Sequence, residues 1–290
     1  MTVCILFNSA DSFSADISSR DTSGLFITGT IEHGDYKKFL EVYFEAAKNL
    51  ENGESKYVNA IYISSPGGDF SEAIKIANFI EEAKLTVWVS EKKECNSACV
   101  FIVIGAAQRG LMGDKIGLHR PYISRQSYSA ELNQDAEKKQ KQVMKFAKSW
   151  LEERFVPRDI TDALIFTPSY KVRYMDSDAF LKKIGFQSPI HQEWVAGLCG
   201  FMTENESVLA AAYTKYLLYE KFGADYLRDR GWHKDLEWIQ YGKESGRIRI
   251  MEDASNKEQD LVICEQDQVR KFRTNFFRKN KGKYISHIPK

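Results

Sequence analysis

Short apolar runs alternate with stretches of helical spacing through the first part of the chain. GLFITGT (24–30) is an apolar, β-branched run that predicts a strand; after it, Phe39, Val42, Tyr43, Ala46 and Leu50 recur at helical spacing. YVNAIYISS (57–65) predicts a second strand, PGGD breaks it, and FSEAIKIANFIEEA sets Ala73, Ile76, Ala77 and Ile80 on one helical face. LTVWVS (85–90) predicts a third strand, EKKE a loop, and the nearly all-apolar stretch from about 97 to 106 a helix. RGLMGDKIGLHRP then reads as two short strands around a Gly113-Asp114 turn.

Strands alternating with helices of this length imply βαβ units with right-handed crossovers and a largely parallel sheet, so the expected class is α/β. From Ser127 to Phe155 the pattern is one long charged helix, polar first and later amphipathic through Val143, Phe146, Trp150 and Leu151. Such unevenness predicts a helix that projects from the body and packs at one end only. YMDSDAFLKKIGF (174–186) reads as a short strand, a turn and a helix ending at Gly185. Beyond Pro189 the chain turns aromatic and helical, with Thr203 and Glu206 in capping-box spacing. The expected division is therefore 1–189 and a mainly helical region 190–290.

With 290 residues, 43% hydrophobic and 28% charged, the composition is that of an ordinary globular protein, and a net charge of +1 implies no strongly charged partner. The longest apolar run, ACVFIVIGAA, is about half of what a membrane span needs, so no transmembrane helix is expected. The N-terminus lacks a basic n-region and carries Asp11 and Asp16 early, which makes it a poor secretory signal. The expected compartment is cytoplasmic, or periplasmic or secreted if the N-terminus is incomplete. Five cysteines (4, 95, 99, 199, 264) are too few and odd in number for a disulfide framework, which points to reduced thiols. Residues 268–290 hold eight Lys/Arg and no Asp/Glu, with Phe272, Phe276, Phe277 and Tyr284 interleaved. That mixture can bind nucleic acid, but a solvated terminal segment is the commoner meaning, and nucleic acid is not an expected partner.

Three segments carry the candidate chemistry: SSPGGDF (64–70), CNSAC (95–99) and GLHRP (117–121), each ending or following a predicted strand. The carboxyl ends of parallel strands share one rim, where ligands bind. Gly67 and Gly68 can present bare N–H groups, or can be a plain Pro-Gly turn. Ser97 stands where a helix begins, so it can be a nucleophile beside the N–H of Ala98, or simply the N-cap. His119 can be a general base for that serine, or a satisfied histidine beside a strand. Taken one at a time, each segment favours its plainer meaning; together they do not.

The order of LFITGTI, AIYISSPGGD, CNSAC, QRGLMGDKIGLHRP and a long helix resembles the ClpP-type serine peptidases of the ClpP/crotonase superfamily, over roughly residues 24–186. It is nearest to divergent ClpP-like proteins of unknown function with a Ser-Ala-Cys nucleophile segment. The resemblance implies a ββα-type spiral with a mostly parallel sheet and a projecting handle helix at 127–155. It implies Ser97 as nucleophile, His119 as general base and an oxyanion hole formed by the N–H groups of Gly68 and Ala98. It further implies a peptide or protein substrate, a homo-oligomer, an ATPase or adaptor partner, and no metal or cofactor.

Three departures stand against it. The position matching the family's aspartate is Val172, which leaves a Ser–His dyad or a third member supplied by Asp162, Ser169 or Asp176. Cys95 and Cys99 can pack, form a disulfide or face one another on a helical turn, with packing the favoured meaning, and a zinc site lacks two further ligands. Residues 190–290 match nothing in the peptidase core. The alternatives to a serine peptidase are an inactive ClpP-like scaffold and, further off, a crotonase-like acyl-CoA enzyme.

Overall fold

Between Gly24 and Leu118 strands and helices alternate in a computed structural model that describes residues 14–19, 24–47, 58–90, 93–113, 115–121 and 133–285. Two compact units are present, one formed by residues up to Gln192 with those from Arg273 onward, the other by Glu193–Phe272. The class is mixed α/β with a mostly parallel sheet.

In the first unit, β1 (Asp16–Ser19) is the antiparallel edge of a five-stranded sheet. β2 (Gly24–Thr28), β3 (Ala60–Ser64), β4 (Thr86–Val89) and β6 (Gln108–Leu111) follow in parallel. Leu25, Ile27, Ile61, Ile63, Val87 and Val89 are buried, as inner strands covered by helices require. α1 (Asp35–Ala47) buries Phe39, Leu40, Tyr43 and Phe44, and α2 (Phe70–Glu82) buries Ile74, Ile76, Phe79 and Ile80. The Asp69 carboxylate caps α2 by accepting the Glu72 N–H at 3.0 Å.

A second sheet of three strands joins β5 (Cys95–Asn96), β7 (Lys115–Leu118) and β8 (Arg173–Asp176), with β5 parallel and β8 antiparallel to β7. Both strands read from RGLMGDKIGLHRP are present, but they do not form a hairpin. β6 pairs with β4 in the first sheet and β7 with β5 in the second, so the chain changes sheets between them. α3 (Ala98–Ile104) is buried at every residue. α4 (Asn133–Glu152) occupies most of the expected long helix; 127–132 lie outside the described residues. Glu137, Lys138, Lys139 and Lys141 are exposed, while Ala147, Trp150 and Leu151 are buried. Trp150 Nε1–H donates to Asn78 Oδ1 at 2.8 Å, and Arg154 pairs with Glu81 at 2.5 Å across the Trp150 ring. α5 (Arg158–Phe166) and α6 (Ser177–Ile184) complete the unit, α6 entering directly from β8 and ending at Gly185.

α7 (Pro189–Cys199) leads into the second unit, where α8 (Glu204–Asp229), α9 (His233–Glu244) and the first part of α10 (Ile248–Ile285) follow. The Thr203–Glu206 capping box forms in both directions. Leu227, Leu236 and Ile239 make a small core, and Cys199 and Cys264, 65 residues apart in sequence, are joined by a disulfide. From Arg273 the chain is part of the first unit again. Phe277 meets Phe44 with ring centroids 5.6 Å apart, and Tyr284 meets Phe79 at 5.3 Å. Arg273 donates to Asn59 Oδ1 at 2.9 Å and to the Lys84 carbonyl. Phe277 is thus a core residue, with Phe276 and Tyr284 packed partly buried against the same core, while Lys271, Arg278, Lys279 and Lys283 are exposed on the same helix. Among the described residues, no helix is long and apolar enough to cross a membrane.

Candidate active site

The C-terminal end of β3 runs into Ser65, Pro66 and the glycine pair. Ser65 is fully buried; its N–H donates to the Glu94 carbonyl at 2.9 Å, and its carbonyl accepts the Asn96 N–H at 3.1 Å. The end of the first sheet is thereby tied to the start of the second. Ser65 Oγ accepts the Gly67 N–H at 3.0 Å and tightens the turn. Gly67 (φ 104°) and Gly68 (φ 138°) both adopt conformations that side chains disfavour. Ile31 N–H donates to the Gly67 carbonyl at 2.8 Å and Asp69 N–H to the Ile31 carbonyl at 2.7 Å. With those groups facing Ile31, the N–H of Gly68 faces the opposite side. A Cβ on Gly67 would lie 2.7 Å from Ser97 Cβ and 3.2 Å from Ala98 N, so the glycine pair touches the turn that carries the serine.

Ser97 joins β5 to α3 with φ 56° and ψ −121°, a strained conformation for a non-glycine residue. Its N–H donates to the Gly117 carbonyl at 2.8 Å and its carbonyl accepts the Val100 N–H at 3.0 Å. It holds the N-cap position, yet its side chain makes no capping hydrogen bond. The hydroxyl is therefore not spent on the helix. Strained turns of this kind, from a strand into a helix, are how a fold exposes a serine nucleophile.

The cysteines on either side of this serine differ from the expectation. Cys95 and Cys99 are joined by a disulfide, with Cα atoms 5.3 Å apart and both residues fully buried. They do not share a helical turn: Cys95 lies in β5 and Cys99 in α3, and the bend at Ser97 brings them together. With Cys199–Cys264, four of the five cysteines are paired.

His119 follows β7 and is buried. The parallel register sets Cys95 beside Ile116 and Asn96 beside Gly117, so Ser97 and His119 leave neighbouring strands at the same end. His119 Nδ1 lies 3.1 Å from the Arg120 carbonyl. A carbonyl only accepts, so this contact is a hydrogen bond in the tautomer that carries its proton on Nδ1, the tautomer whose Nε2 has a general base's lone pair. Arg120 is fixed in turn by its N–H, which donates to the Thr167 carbonyl at 2.9 Å.

β7 pairs with β8 from Lys115–Asp176 to Leu118–Arg173, which leaves Val172 just before and His119 just after the last pair. Val172 is half-exposed, with its Cγ1 2.8 Å from where a Cβ on Gly117 would stand. Asp176 is at the other end of the strand pair, about 13 Å away at the usual strand rise, and its carboxylate caps α6 by accepting the Ala179 N–H at 3.0 Å. Asp162 faces Arg158 on α5 at 3.7 Å, and Ser169 lies in the turn between α5 and β8. Between α2 and α4, Phe70, Ile74, Val143 and Phe146 line a groove of about 340 Å³ to which none of Gly68, Ser97, Ala98 and His119 contributes. Sequence reasoning missed the Arg120 carbonyl and Ser65. The first has no side-chain signature, and the second is visible only as a serine before the Pro-Gly turn.

The structure is similar to that of a serine-to-alanine mutant of the 1510-N membrane-bound stomatin-specific protease, at 19% identity and a TM-score of 0.40, covering 62% of this chain and 85% of that one. A 1510-N membrane protease specific for a stomatin homolog, from Pyrococcus horikoshii, is similar at 18% identity and a TM-score of 0.37, covering 57% and 70%. An asparagine-to-aspartate mutant of ClpP1 from Listeria monocytogenes is similar at 18% identity and a TM-score of 0.39, covering 58% and 90%. No protein-family model and no curated protein sequence matches the chain.

Proposed function

We propose that the chain is a serine hydrolase that cleaves peptide bonds through an acyl-enzyme. The observation that carries this reading is the backbone of Ser97, held at positive φ between a strand and a helix with its hydroxyl free of capping duty, against Gly67. Ser97 Oγ attacks the peptide carbonyl carbon while His119 Nε2 takes its proton. The N–H groups of Gly68 and Ala98 stabilise the oxyanion, and His119 then protonates the departing amine. Water repeats the sequence on the ester and releases the acid. The Arg120 carbonyl holds His119 in the role that a carboxylate usually fills.

The homo-oligomer and the ATPase or adaptor partner implied by the resemblance belong to the same reading. Two disulfides fit an oxidising compartment better than the cytoplasm. The second reading is a catalytically inactive scaffold, favoured by the aliphatic Val172 at the position the resemblance gives to an aspartate. A fluorophosphonate probe separates the two. Labelling that is lost in Ser97→Ala and falls sharply in His119→Ala supports the hydrolase; no labelling of the folded protein would leave the scaffold.

A further inference from the structure

We infer that the Cys95–Cys99 disulfide is a positioning element for the nucleophile, holding the Ser97 turn in its reactive shape and attenuating the site when it is reduced. This rests on the reading of Ser97 as nucleophile. The bond closes a ring of five residues with Ser97 at its centre. One end is fixed in the second sheet, where Cys95 pairs with Ile116 and bridges to Ser65; the other is the second residue of the fully buried α3. A loop this short removes less entropy from the unfolded chain than a long one, while in the folded chain it restrains the Ser97 turn directly.

Ser97 has an ordinary alternative. With φ negative and its hydroxyl accepting an N–H from the first turn of α3, it would be a standard N-cap, relieved of backbone strain but with its oxygen occupied. The same residue can thus serve as cap or as nucleophile. Two backbone hydrogen bonds, Ser97 N–H to Gly117 and Val100 N–H to Ser97, accompany the disulfide in holding the second state. Opening the link lets the first turn of α3 move away from β5 and releases the serine towards the cap. In that step a small dithiol supplies two electrons and two protons. The Sγ–Sγ bond breaks, Cys95 and Cys99 become thiols, and the dithiol closes to its own disulfide. Because both sulfurs are buried, the exchange proceeds through local opening and is slow.

The test compares full-length wild type, wild type equilibrated with dithiothreitol, and a Cys95→Ala/Cys99→Ala variant, with a Cys199→Ser/Cys264→Ser variant as control for the other bond. Fluorophosphonate labelling rate and hydrogen exchange at the amides of 98–100 are read on protein whose far-ultraviolet circular dichroism is native. Opening the 95–99 bond should slow labelling at least about tenfold, as release of local strain allows. It should speed exchange at 98–100 alone and leave the pH midpoint of labelling unchanged. The Cys199→Ser/Cys264→Ser control should label like wild type. Labelling within twofold of wild type and unaltered exchange, with the 95–99 bond open, would overturn the inference. If oxidised wild type does not label, the nucleophile reading fails by itself and the exchange measurement decides the clamp. If the alanine variant does not fold, the dithiol arm on wild type supplies the comparison, with alkylation mass spectrometry reporting which bond has opened.

Discussion

Gly67 stands so close to Ser97 that a Cβ added to it would come within 2.7 Å of the serine's own Cβ. A glycine at φ 104°, which it adopts without strain, is thus packed against a serine held at φ 56°. Gly67→Ala adds a methyl group both to a left-handed backbone and to an occupied space. Displacing the turn that carries Ser97 and Ala98 N–H should lower the fluorophosphonate labelling rate by about 10²–10³-fold, the usual cost of losing an oxyanion donor. Labelling kinetics on protein with native circular dichroism check this.

His119 directly follows, and Val172 directly precedes, the last β7–β8 pair, Leu118–Arg173. Val172→Asp places a carboxylate where it can support the imidazolium formed during attack. The labelling rate should rise about tenfold or more, a modest part of what an aspartate contributes in complete triads. Val172→Asn should give no such rise, because an amide carries no charge. A comparison of the two variants distinguishes charge from volume.

Phe277 is buried against Phe44, far from it in sequence, so the part of α10 from Arg273 onward is built into the first unit. Phe277→Ala should lower the unfolding free energy by about 3–5 kcal/mol, as for other buried phenylalanines. Urea denaturation monitored by tryptophan fluorescence measures it. A value near zero would mean that this helix end does not dock in solution.

Glu206 closes the capping box of α8 and pairs with Lys257 at 2.7 Å. The Lys257 ammonium, followed by the Thr203 N–H and hydroxyl, holds its carboxyl down to about 2 from 4.5. A carboxyl depressed in the folded state adds stability above its unfolded pKa of 4.5 and loses it as pH falls through about 2. Lys257→Gln should therefore raise the carboxyl midpoint towards 4.5 in a carbon-13 titration, and Glu206→Gln should flatten the acid limb of the stability profile between those values.

Much of the first unit is legible in residue type and spacing. The runs at 24–30, 57–65 and 85–90 are β2, β3 and β4, and the helical spacing after each of the first two becomes α1 and α2, because side-chain periodicity is a local property that burial on one face enforces. The Thr203–Glu206 cap is equally local. The candidate residues Gly68, Ser97, Ala98 and His119 can be picked out because glycine pairs, a serine at a helix start and a histidine after a strand each carry a residue-type signature.

The rest required the chain to be folded. Nothing in RGLMGDKIGLHRP says that its two strands enter different sheets, since partner choice depends on β4 and β5 elsewhere. Cys199 and Cys264 meet across 65 residues, and Phe276, Phe277 and Tyr284 look like a basic-aromatic tail until Phe44 and Phe79 are set beneath them. The sequence by itself determined which residues offer chemistry and in what order along the chain. Only the tertiary structure decided that Ser97 holds positive φ without capping α3, that a disulfide spans it, and that the Arg120 carbonyl takes the place opposite His119 Nδ1. The reason is physical: every residue has a carbonyl, and a backbone angle is set by what surrounds it, so neither leaves a mark on residue type.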